Sequence, residues 1–249
     1  MLRKISLFLL LLTTCNQAWS QNPSVVGYAY DVRAGTLHYI ESYQNHYDRQ
    51  GLLTSSEVLY ETPDKSTVLA TKDLRYLKHP YAPELRFSNH ATQYEESIHW
   101  LDTDTILVRK KEPGEAWQER SMKISEPVVA DAGFDRFLQD HIQDLLTGKT
   151  LHFQFVNPAR LDWFHFSAEP MESSDATITL KVYPSNRLLR WLVDPILLTY
   201  QLPSHSDQSP QLMHYNGLTN LSLDGGAPVQ ANIFYEYEPE PAQQIVNLF

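Results

Sequence analysis

Apolar and polar side chains alternate one for one along most of this chain. In "LHYIESYQNHY" the residues Leu37, Tyr39, Tyr43 and Tyr47 share one face. In "ATITLKVY" the residues Ile178, Leu180 and Val182 lie opposite Thr177, Thr179 and Lys181, and "VQANIFYEY" sets Val229, Ala231, Ile233, Tyr235 and Tyr237 together. A period of two is the signature of half-buried strands. The same pattern predicts strands over 25–32, 52–60, 68–74, 84–87, 94–100, 105–110, 116–124, 151–156, 161–166, 196–202 and 212–216. Turn residues separate them in "RAGT", "TPDKS", "HPYAP", "LDTDT", "EPGE", "YPSN" and "LDGGAP".

One stretch, "FDRFLQDHIQDLLTGKTLHFQF", changes period at Gly148. Before it, Phe134, Phe137, Leu138, Ile142, Leu145 and Leu146 recur at helical spacing, with Asp135, Arg136, Gln139, Asp140, Gln143 and Asp144 on the other side. The spacing predicts a helix over 133–147, with Asp131 as its N-cap, Asp135 at the positive end of its dipole and Gly148 as its stop. Sequential antiparallel strands with one amphipathic helix predict a mainly β, α+β fold. We expect a curved antiparallel sheet or half-barrel whose concave face the helix covers.

In outline such a chain is similar to the lipoprotein-localisation and lipoprotein-sorting half-barrels of Gram-negative bacteria. The segments "VADAGFDRFLQDHIQDLLTGKTLHFQFVNPARLD" and "MHYNGLTNLSLDGG" also resemble uncharacterised exported proteins of such bacteria. The resemblance to the sorting proteins implies a concave apolar pocket that holds acyl chains. No position matches a defining motif of that family, so no functional residue carries over.

The N-terminus changes the picture from fold to compartment. Arg3 and Lys4 precede the short apolar run "SLFLLLL", and Ala18 and Ser20 suit cleavage before Gln21. This is the layout of a secretory signal peptide, far short of the ~20 residues of a membrane helix. The expected organisation is a signal peptide at 1–20, one β-rich domain at 21–237 and an extended tail at 238–249, in a periplasmic or secreted protein. Cys15 is the only cysteine, so the mature chain has neither disulfides nor a catalytic thiol. In an alternative reading "LLTTC" is a lipoprotein box, and Cys15 carries a lipid anchor. Losing Arg3 and Lys4 leaves 18 of the 20 basic side chains against 30 acidic ones, a net charge of −12. Such a surface is repelled by nucleic-acid phosphates, which argues against nucleic-acid binding.

Candidate chemistry is sparse. The ten histidines include no H-E-x-x-H and no H-x-H, and His38 and His46 on one strand would stand about 27 Å apart. No metal and no cofactor is expected. The motifs G-x-S-x-G and S-x-x-K are missing, which points away from an enzyme and leaves open only a dispersed Ser–His–Asp triad. Asp102 and Asp104 in "LDTDT" read as a hairpin turn rather than half of a calcium or glycosidase site. Asn220-Leu221-Ser222 matches the glycosylation pattern, which is idle in a bacterial cell. Phe249 ends the chain as outer-membrane barrels often end, but Asn247, Pro239, Pro241 and the central helix fit that architecture badly.

The stretch "RLDWFHF" is the most aromatic, with Trp163 on one strand face and Phe164 and Phe166 on the other. The expected function is a non-enzymatic binding or carrier protein for a lipid, acyl chain or apolar peptide. Phe134, Phe137, Trp163, Phe164 and Phe166 are the candidate pocket residues, and Arg160 is the candidate partner for a ligand carboxylate or phosphate. The alternative is an envelope interaction protein with a filled core and a protein partner.

Overall fold

The computed structural model describes residues 24–238 apart from 126, 192, 206, 207 and 226. The expected signal peptide, Cys15 and the tail beyond residue 238 lie outside the described residues.

The first half of the chain is an antiparallel meander: β1 (Val25–Asp31), β2 (Leu37–Tyr47), β3 (Leu53–Glu61), β4 (Val68–Arg75), β5 (Glu84–Asn89), β6 (Tyr94–Trp100), β7 (Thr105–Lys111) and β8 (Gln118–Lys123). A two-residue strand β9 (Val128–Val129) and the helices α1 (Gly133–Asp140) and α2 (Ile142–Leu146) follow. The second half is again a meander: β10 (Leu151–Asn157), β11 (Asp162–Ser173), β12 (Thr177–Pro184), β13 (Ile196–Gln201), β14 (Gln211–Leu218) and β15 (Gln230–Tyr237). β15 returns to pair with β1, from Val25 opposite Tyr237 to Asp31 opposite Ala231, so the halves form one sheet. Its order is β8-β7-β6-β5-β4-β3-β2-β1-β15-β14-β13-β12-β11-β10-β9, with β8 and β9 at its edges. The fold is thus mainly β: one large, curved, open sheet with a helical cover, as the alternation predicts.

The ladder registers put one set of side chains on the concave face across the whole sheet. Leu198, Tyr215, Ile233, Ala29 and Tyr39 stand opposite one another in succession from β13 to β2. Lys72, Phe87, Glu96 and Lys110 do the same from β4 to β7. Register shifts at Ala29/Tyr30, His46/Tyr47, Tyr60/Glu61 and Thr199/Tyr200 add local twist that helps the sheet curl.

The curl brings the edges together without a backbone ladder between them. Gln154 on β10 receives a hydrogen bond from the Ser125 amide (3.0 Å) and donates to its hydroxyl (2.9 Å). Arg120 on β8 pairs with Asp162 at 3.1 Å and donates to the Leu161 carbonyl at 3.2 Å. Val156, Leu161 and Trp163 pack into the same apolar cluster as Phe87, Ile98, Val108 and Met122. The β10 edge therefore tucks against the inner face of β5–β8. A second cluster joins α1 and α2 to β10–β14 through Phe134, Phe137, Leu138, Ile142, Leu145, Phe153, Ile178, Leu180, Val182 and Leu198.

Two local expectations are corrected. The helix is not continuous over 133–147: it breaks at His141, whose backbone leaves helical geometry at φ −107° and ψ 16°. The imidazole Nδ1 of His141 lies 2.8 Å from the Phe137 carbonyl oxygen, so it donates there, and the ring lies against Phe137 at 4.4 Å between centroids. Asp131 is not the N-cap, a place that Ala132 takes without a side-chain bond. Asp131 instead adopts a left-handed φ of 45° and turns its carboxylate to the Lys72 ammonium, because a buried cation binds it more strongly than a helix amide does. Gly148 ends the helical segment at φ 85°, as expected of a C-terminal glycine. The 101–105 stretch is a turn, with the Leu101 and Asp104 amides bonding to Thr105 and Asp102.

Candidate ligand-binding site

β10, β11 and the β12–β13 connection build a groove of about 580 Å³ lined by His152, Trp163, Phe164, His165, Ser185, Asn186 and Leu189. Its framework is hydrogen-bonded throughout β10 and β11. β10 and β11 pair from Leu151 opposite Ala168 to Asn157 opposite Asp162. A polar relay crosses three segments: His152 Nδ1 lies 2.9 Å from Ser167 Oγ, which lies 2.8 Å from Ser185 Oγ. The Ser185 amide donates to the His165 carbonyl at 2.8 Å. Trp163 meets the His165 ring edge-on at 5.0 Å. Arg190 fastens the connection: its Nε donates to the Pro184 carbonyl (2.9 Å) and its guanidinium stacks on Tyr183 at 4.2 Å. The result is an apolar floor of Trp, Phe and Leu beside two imidazoles, a hydroxyl and an amide. Such a mixture has the chemistry to hold apolar groups and to orient one polar head.

Of the six residues singled out from the sequence, the groove brings together Trp163 and Phe164. Phe166 turns to the concave side and packs at 5.6 Å from Phe155. Phe134 and Phe137 are enclosed in the helix–sheet core, at 5.6 and 5.4 Å from Phe153. They fill the concave face on that side. Arg160 is exposed on the short 3-10 turn Pro158–Arg160, whose N-cap Asn157 accepts the Arg160 amide at 3.1 Å. His152, His165, Ser185, Asn186 and Leu189 went unnoticed because the groove joins three segments that only pairing makes neighbours.

A second polar centre lies on the concave face. Lys72 is 6 % exposed and pairs with Asp131 at 2.8 Å, with its ammonium 5.5 Å from the Tyr60 ring centroid and 5.9 Å from that of Phe87. The ammonium spans both carboxylate oxygens of Asp131, and Asn220 donates to Oδ2 of the same carboxylate at 3.0 Å. Two further carboxylates are buried beside this pair. Glu41 accepts from Tyr43 at 3.0 Å and Glu96 from Tyr94 at 2.7 Å. Burial pushes the carboxyl of Glu41 above its ordinary range and that of Glu96 up to about 7. On α1, burial likewise pushes Asp135 up to about 6, although Tyr200 and Gln139 both donate to it at 2.8 Å. The sequence carried a signal for this centre: Glu41, Lys72 and Glu96 occupy inward positions of alternating strands, in phase with Tyr39, Leu74 and Ile98.

The histidines are dispersed. His38 lies 3.8 Å from Asp31 and His46 3.9 Å from Glu57. Among the described residues no group of three His, Cys, Asp or Glu side chains could hold a metal ion, and no helix is long and apolar enough to cross a membrane. Comparison with protein-family models, with curated proteins and with solved structures finds no match to this chain.

Proposed function

We propose that this is an exported, non-enzymatic binding or carrier protein for an apolar ligand, a lipid, acyl chain or apolar peptide, and that the ligand lies in the groove of Trp163, Phe164 and Leu189. The observation that carries the reading is the groove's composition: about 580 Å³ of space with an aromatic and aliphatic floor and a narrow polar margin of His152, His165, Ser185 and Asn186. The half-barrel resemblance suggests an acyl ligand. The packed helix side of the concave face favours the outer groove over an interior pocket. The targeting pattern at residues 1–20 supports a periplasmic or secreted location.

Native mass spectrometry of the mature chain, purified from its own envelope fraction and then denatured and extracted for lipid, tests the reading. A stoichiometric lipid or acylated species is expected, and Trp163→Ala, which opens the groove floor, should release most of it. A bare chain that also fails to bind a fluorescent fatty acid overturns the carrier reading. It would favour the second one, an envelope interaction protein, which the enclosed positions of Phe134 and Phe137 also support.

A further inference from the structure

The connection between β12 and β13 runs "SNRLLRWLVDP" over residues 185–195 and projects large apolar side chains into solvent. Trp191 is 89 % exposed, Leu188 76 % and Val193 40 %. Trp191 closes the short 3-10 turn Leu189–Trp191, whose Leu189 lines the groove. Exposed indole and leucine on one loop are costly in water unless another surface covers them. The loop is not slack. Arg190 ties it to Pro184 and Tyr183, and the Val193 amide donates to the Leu189 carbonyl at 3.0 Å. The apolar tip is therefore held out by the fold.

Charge identifies the cover. The whole chain carries −10, yet residues 185–195 hold Arg187 and Arg190 against one acidic side chain, Asp194. Tryptophan with leucine and arginine is the composition of an interfacial segment: the indole sits at headgroup level, leucine enters the acyl region and guanidinium pairs with lipid phosphate. An acidic body is held off an anionic surface by its own charge, so contact would be confined to this loop. We infer that this connection is a docking element that inserts Leu188 and Trp191 into an anionic bilayer surface and sets the mouth of the groove against the lipid. The delivery role rests on the reading of the groove as an apolar-ligand site; the docking does not.

Flotation of the mature chain from Gln21, which lacks Cys15 and so any lipid anchor, tests the inference. The probes are vesicles of phosphatidylcholine alone and of phosphatidylcholine with one quarter phosphatidylglycerol. The chain should float with the anionic vesicles more than with the neutral ones. The Leu188→Ser/Trp191→Ser variant should float about ten-fold less, and Arg187→Ser should lose the preference for phosphatidylglycerol. Thermal unfolding should not change, because both side chains are exposed. A double variant that floats like the parent overturns the inference. So does a parent that ignores both vesicles, including one that instead dimerises through Trp191. Binding of a fluorescent fatty acid without vesicles, lost in Trp163→Ala and kept in the loop variant, reads the groove separately, so either idea can fail alone.

Discussion

Replacing Glu96 by Gln should remove a pH dependence of stability that the buried centre creates. Glu96 is 5 % exposed, accepts from Tyr94 at 2.7 Å, and shares its surroundings with Asp131 and Lys72. Its carboxyl titrates at about 7 in the folded chain against 4.5 for the free group. A raised acid pKa means that the folded state binds the proton more tightly than the unfolded state does. The protonated form is held throughout below pH 4.5. As pH rises from 4.5 to about 7 the unfolded chain releases its proton first, and folded stability falls; above about 7 the full loss is in place. At 1.36 kcal/mol per unit, the difference amounts to roughly 3 kcal/mol, an upper value because the raised carboxyl of Glu41 lies in the same buried cluster. Groups with lowered pKa, such as Asp64 at about 2 and Asp31, act below pH 4 with the opposite sign, while Asp135, raised to about 6, and Glu41, also raised, act in the same window in parent and variant alike, so the difference between the two chains reads Glu96. Gln keeps the shape and an oxygen that accepts from Tyr94, but it never ionises. Urea unfolding of parent and Glu96→Gln between pH 4.5 and 8 should give curves that converge at the acid end and separate at pH 8, with the variant more stable by about 2–3 kcal/mol. Parallel curves, or a variant weaker than the parent at pH 8, would refute the argument that burial raises this carboxyl.

Two further outcomes follow from the packing. Lys72→Met leaves Asp131 buried without its cation and should cost about 3–5 kcal/mol at pH 7, while the Lys72→Met/Asp131→Asn pair should recover most of it; denaturant midpoints decide between the two. Gly133→Ala would place a methyl group 2.2 Å from the Tyr81 carbonyl oxygen and should cost about 1–3 kcal/mol or more; Gly148→Ala, with open space but φ 85°, should cost roughly 1 kcal/mol, and a thermal scan of the two variants orders them.

The sequence determined the elements and their faces. Alternation is a local property, since each strand residue points opposite its neighbours whatever the strand pairs with. Ile178, Leu180 and Val182 were legible as an inward face, and all three are buried. The helical spacing of Phe134, Phe137, Leu138 and Leu145 likewise revealed a stripe facing a sheet, and Gly148 marked its end. Two-residue β9 was too short to show a period, and the His141 break depends on one side-chain-to-carbonyl contact that periodicity does not register.

Only the tertiary structure decided what those faces meet. Lys72 and Asp131 stand 59 positions apart in the chain, and Gln154 and Ser125 stand 29 apart. Such partners are chosen by the burial of charge and by how far the sheet curls, a sum over many ladder registers to which no single segment holds the answer. The groove has the same origin: β10, β11 and the loop after β12 each look ordinary in sequence, and strand pairing sets His152, Trp163 and Leu189 around one space. Local periodicity fixes which way a side chain points, whereas long-range pairing fixes what it points at.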